Sequence, residues 1–162
     1  MAFILISSTA YSGDVDLVRD GVLYGHESTT VGKALEASFF DWEWIEYKSD
    51  KGQRIVEFNG RITSGLHRDF IEMINGELTI VELFALAETY GHILPQELDE
   101  PKRRQEAINW AFSKIWQEGT DFTAQFAILV NPEGGSKYFE VSNMEVAGQK
   151  VDQNTMLDLI YK

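Results

Sequence analysis

Apolar residues recur along this chain at two spacings, and the switches between them mark its elements. Val31, Leu35 and Phe39 stand four apart, with Lys33 and Glu36 between them left for water. That spacing predicts a short helix from 31, with Thr29 or Thr30 capping its first turn. Gly32 weakens such a helix by ~1 kcal/mol relative to Ala, which points to a close approach there, most simply packing on a strand. After Asp41 the spacing becomes two. Trp44, Glu46 and Lys48 then face one side and Ile45 and Tyr47 the other, as in a half-buried strand. Ser49-Asp50-Lys51-Gly52 is turn chemistry, with Gly52 free to take a positive φ. The stretch 54–59 returns as a strand with Ile55, Val56 and Phe58, and Gly60 is expected to end or bend it.

The same reading continues to the C-terminus. Leu66, Phe70 and Ile74 predict a helix stopped by Asn75-Gly76. Thr79-Ile80-Val81-Glu82 is a capping box opening a helix with Ile80, Leu83, Ala87 and Tyr90 on its apolar stripe and Gly91 as its stop. Pro101 suits the first turn of a longer helix whose buried face is Arg104, Ile108, Ala111, Phe112 and Ile115, widened by Trp110 and Trp116. Phe122, Ala124, Phe126, Ile128 and Val130 alternate with polar or small residues as a strand. After the loop 131–136, residues 138–146 complete a second hairpin, and Asp152 or Asn154 caps a last helix carrying Met156, Leu157, Ile160 and Tyr161. The fold expected is α+β: an antiparallel sheet of four or more strands built from two hairpins, helices mainly on one face, and a helical insertion at about 63–119.

At 162 residues the chain suits one domain, 14–162, preceded by a segment 1–13. Ala2-Phe3-Ile4-Leu5-Ile6 is apolar but too short to span a bilayer, and Ser7-Ser8-Thr9-Ala10 offers small residues of the kind an export peptidase cuts after. Two readings stand: the end of an export signal, implying a periplasmic or secreted protein, or an N-terminal edge strand, implying a cytoplasmic one if Met1 is the true start. The chain has no cysteine, which excludes disulfides, thiolate metal sites and cysteine nucleophiles. Its formal charge of −12 disfavours nucleic acid and anionic membrane as partners and favours a cationic protein surface or a divalent cation. Lys102-Arg103-Arg104, following Glu97, Asp99 and Glu100, reads as a solvated helix face.

No zinc-protease helix, phosphate loop, dinucleotide loop or serine elbow is present, so no catalytic, cofactor or metal residue is assigned. Asp14 and Asp16 begin a calcium-loop spacing, but the remaining ligands and the closing Glu are missing. His67 stands beside acidic residues as a general base would, although a surface histidine is the ordinary reading. Trp42, Trp44 and Tyr47 are the candidate partner-binding residues, with Trp42 and Trp44 together and Tyr47 opposite; burial in the core is the competing account.

Thr30-Val31-Gly32-Lys33-Ala34-Leu35, Trp44, Ser49-Asp50-Lys51-Gly52 and Val56-Glu57-Phe58, with Asp16 to Leu23 before them, resemble a set of small bacterial envelope domains to which no function is attached. The resemblance covers roughly 15–60, with an echo at 139–161, and implies an envelope location without obvious catalytic residues. The function expected is therefore a non-catalytic module of the bacterial envelope that binds a protein or peptide. The alternatives are an acidic immunity-type inhibitor of a basic toxin and a small hydrolase working through carboxylates.

Overall fold

The structure, a computed structural model, describes residues 13–76, 79, 81, 85, 87–88, 91–92, 97, 99–114 and 116–162, with only the backbone of Phe112. The apolar segment at 2–6, most of the helix expected at 79–90 with its capping box, Pro95 and Ile115 lie outside the described residues. Within them the order is α1 (Asp14–Arg19), α2 (Val31–Ser38), β1 (Phe39–Lys48), β2 (Arg54–Ile62), α3 (Ser64–Gly76), α4 (Glu100–Lys114), β3 (Asp121–Val130), β4 (Lys137–Val146), β5 (Gln149–Lys150) and α5 (Gln153–Ile160). The fold is α+β.

The two expected hairpins are joined by pairing of β2 with β3, giving one antiparallel sheet in the order β1-β2-β3-β4-β5. Alternation assigns its two faces. Trp44, Val56, Phe58, Ile62, Phe122, Ala124, Phe126, Ile128, Met144 and Val146 point to one side, and buried residues from each of the helices α1 to α5 join them in a single cluster. Helices therefore cover that face. The stacked pair Phe39 and Phe122, 4.2 Å between centroids, and the edge-on pair Trp44 and Phe58 at 4.9 Å fill its middle.

The α2 helix starts where expected, with Thr30 Oγ1 accepting from Lys33 N, and Asp152 caps α5 in the same way. Leu66, Phe70 and Ile74 are the buried residues of α3. On α4, Ala107 and Ala111 are buried, while Arg104 reaches Asn75 O at the end of α3, 3.1 Å away. Two glycines act differently from expectation. The strand runs through Gly60 to Ile62, because the missing side chain leaves room for Phe39; a Cβ there would sit 2.9 Å from that of Phe39. Gly32 does mark a close approach, but against α1 rather than a strand: its Cβ would lie 2.8 Å from Arg19 O. The β4–β5 turn was not expected from the sequence. It places Ala147 (φ 51°) and Gly148 (φ 74°) in the left-handed region.

Asp14 is the buried charged residue of the described chain, 3% exposed. It pairs with Arg54 at the start of β2 and with Lys137 at the start of β4, 3.0 Å away. Asp14 thus belongs to an ion triad that ties α1 to two hairpins. Val15 N also donates to Glu46 of β1.

Candidate functional site

The face of the sheet away from the helices carries the other half of each strand. Cross-strand register sets its residues in rows: Glu43, Asn59, Thr123 and Glu145; then Ile45, Glu57, Gln125 and Asn143; then Tyr47, Ile55, Ala127 and Glu140. The middle rows form a bonded network. Tyr47 Oη donates to Glu57 Oε2 at 2.9 Å, and Gln125 Nε2 donates to the same oxygen at 2.8 Å and to Tyr47 Oη at 3.1 Å. Asn59 Nδ2 donates to Glu57 Oε1 at 3.0 Å, and Thr123 Oγ1 donates to Asn59 Oδ1 at 2.8 Å. Three strands are linked through their side chains as well as their backbones.

Glu57 is the hub. Partial burial pushes its carboxyl pKa up, but the hydrogen bonds from Gln125, Asn59 and Tyr47 outweigh that and hold it below the ordinary value. Burial, then the bond to Glu57, pushes the Tyr47 phenol up. At neutral pH the network therefore contains a fixed carboxylate and a neutral phenol. Beside it, Arg61 lies 3.6 Å from Asp41 and 3.5 Å from Asp121. These residues, with Glu43, Asn59 and Thr123, line a depression of about 380 Å³. The whole face carries six carboxylates (Asp41, Glu43, Glu57, Asp121, Glu140, Glu145) against the guanidinium of Arg61 and the ammonium of Lys150, which stands across from Glu145 on β5. Its far end is apolar, with Ile45, Tyr47 and Tyr138 each about two-fifths exposed.

The structure does not bring the three candidate residues together. Tyr47 belongs to this open face. Trp44 is half-buried on the helix side against Phe58, with Nε1 donating to Glu36 Oε1 at 3.1 Å. Trp42 is 40% exposed, with the Arg19 guanidinium 5.8 Å from its ring centroid; Arg19 in turn pairs with Glu36 at 2.6 Å. Trp42 and Trp44 thus border one ion pair, on the side away from Tyr47. His67 Nδ1 donates to Trp116 O at 2.8 Å, tying α3 to the chain leaving α4, and His92 stacks on Trp110. Among the described residues no group of three or more His, Asp or Glu is arranged to hold a metal, and no helix is long and apolar enough to cross a membrane.

Glu57, Asn59, Thr123 and Gln125 were missed from the sequence. The signal lay in their type: amides, a hydroxyl and an acid alternate with buried aromatics where an ordinary solvent face carries lysines. No family model matches the chain, and neither the curated proteins nor the solved structures give a match.

Proposed function

We propose that this chain is a non-catalytic interaction module that docks a protein or peptide on the open face of its sheet. The observation carrying the reading is the bonded network of Tyr47, Glu57, Asn59, Thr123 and Gln125, which fixes side chains in place before any partner arrives. Side chains already ordered lose little entropy on binding. Tyrosine is also a residue type that concentrates binding energy at interfaces. A working place in the bacterial envelope rests on the resemblance over 15–60 alone.

The test is a photo-reactive residue placed at Ile45 or Asn143 on the open face, and at exposed Glu106 on α4 as control. A discrete cross-linked partner is expected from the two face positions and not from 106. Equal yields from all three, or a partner from 106 alone, would sink the reading. The concentration of carboxylates on one face also favours the second reading, an acidic inhibitor covering a basic toxin. Its mark would be association whose rate falls steeply with salt.

A further inference from the structure

We infer, building on the docking role just proposed for the open face, that its partner is a cationic polypeptide engaging the face at two points. The first point is the depression holding Asp41, Glu43 and Asp121. Arg61 is the guanidinium there, shared between Asp41 and Asp121 at distances beyond a close hydrogen bond. Among the described residues Glu43 has no ion-pair partner, so the depression keeps a negative excess open to a lysine or arginine. Glu145 continues the same row, with Lys150 across from it on β5.

The second point is the apolar end formed by Ile45, Tyr47 and Tyr138. This end is a separate feature, since Ile45, Tyr47 and Tyr138 are uncharged and its one carboxylate, Glu140, stands at its β4 margin. It gives the partner an area from which to exclude water, as the centre of an interface does. Tyr47 joins the two points, because its hydroxyl is fixed by Glu57 and Gln125 while its ring lies exposed. Glu43 and Tyr47 are four residues apart on β1, about 13 Å along the strand. The partner must therefore carry its cationic and apolar side chains at about that separation. Nucleic acid and anionic lipid carry the wrong sign for the first point.

The experiment is amide NMR mapping of the intact chain with two probes: a short peptide with lysines at one end and leucines at the other, and its counterpart with glutamates for lysines. Shifts at Glu43, Asn59, Thr123 and Tyr47 are expected with the lysine peptide only. Affinity is expected to fall at least about tenfold between low and ~0.5 M salt. The triple variant Glu43→Gln, Asp121→Asn, Glu145→Gln, all at positions outside the core, is expected to lose binding by a similar factor while its unperturbed spectrum shows the fold intact. Equal binding of the glutamate peptide on the same residues would overturn the cationic partner and leave the docking face standing. Shifts confined to the helices, or none with either probe, would overturn both.

Discussion

The two faces of one sheet, built from alternate residues of the same strands, have opposite constructions. On the helix side Phe39, Phe58, Phe122 and Phe126 are at most 2% exposed; the first three meet ring against ring, and Phe126 meets Trp44 and Phe139. On the other side the neighbours of those phenylalanines, Glu57, Asn59, Thr123 and Gln125, bond to one another. The difference teaches where stability and recognition are divided. Apolar burial is worth about 25 cal/mol per Å² and holds whatever the partner. A surface hydrogen bond is worth only about 1 kcal/mol net, so the open network contributes little to folding and much to the placement of side chains.

The widest separation between the faces is expected at adjacent residues. Phe126→Ala removes a ring fully inside the cluster and is expected to destabilise by about 3–5 kcal/mol. Gln125→Ala, one residue away and pointing outward, is expected to cost about 1 kcal/mol. Urea denaturation of both variants measures the gap. Comparable losses would mean that the open face carries structural weight and would remove the division drawn above.

A second break point is Gly60, where the helix-side packing depends on an absent side chain. Gly60→Ala sets a methyl 2.9 Å from Phe39 Cβ and 3.1 Å from the ring of Phe58. Phe39 is stacked on Phe122 and meets Phe58 edge-on, so neither neighbour can swing away freely. Overpacking of this kind is expected to cost about 1–3 kcal/mol, read from the urea midpoint. A neutral result would show that Phe39 does not rest on this strand.

A backbone effect outside both faces calibrates them. Ala147 holds φ 51° in the β4–β5 turn, a region that costs an alanine about 1 kcal/mol. Ala147→Asn, a residue that tolerates this region, is expected to stabilise by up to about 1 kcal/mol and to raise the thermal midpoint slightly. No change on substitution would mean that the turn relaxes in solution.

Much of this construction was legible along the chain. Helix starts at Thr30 and Asp152, the turn at Gly52 and the apolar side of β3 follow from local spacing and capping chemistry, which act within a few residues. Three things were not legible. The pairing of β2 with β3 joins segments about sixty residues apart, and no local pattern encodes it. The burial of Asp14 depends on Arg54 and Lys137 arriving from two other hairpins. The open-face network is spread over three strands, so each member reads alone as a solvent residue until the register lines them up. Trp42, Trp44 and Tyr47 attracted attention by type, yet only Tyr47 falls in the network. The alternation had already put it opposite the two tryptophans.

The smallest effect expected is also the one that tests the open face as a unit. Glu57 has a folded-state pKa below its ordinary value of 4.5, because three donors favour its charged form more than partial burial disfavours it. A carboxylate lowered in this way contributes its stability in full above the unfolded pKa, and loses it as pH falls through the folded value. Glu57→Gln should therefore be less stable than the parent at pH 7 by about 0.5–1 kcal/mol, a figure kept small because the group is partly solvated. The difference should hold down to about pH 4.5 and then shrink as the parent's carboxylate takes up its proton. Asn59 and Gln125 can each turn an amide to meet the new side chain, so the variant is expected to fold. Urea midpoints for the two proteins across pH 3–7 measure the difference directly. A gap that stayed constant down to pH 3 would mean that the three donors do not select the charged form, and the fixed carboxylate at the centre of the docking face would be lost with it.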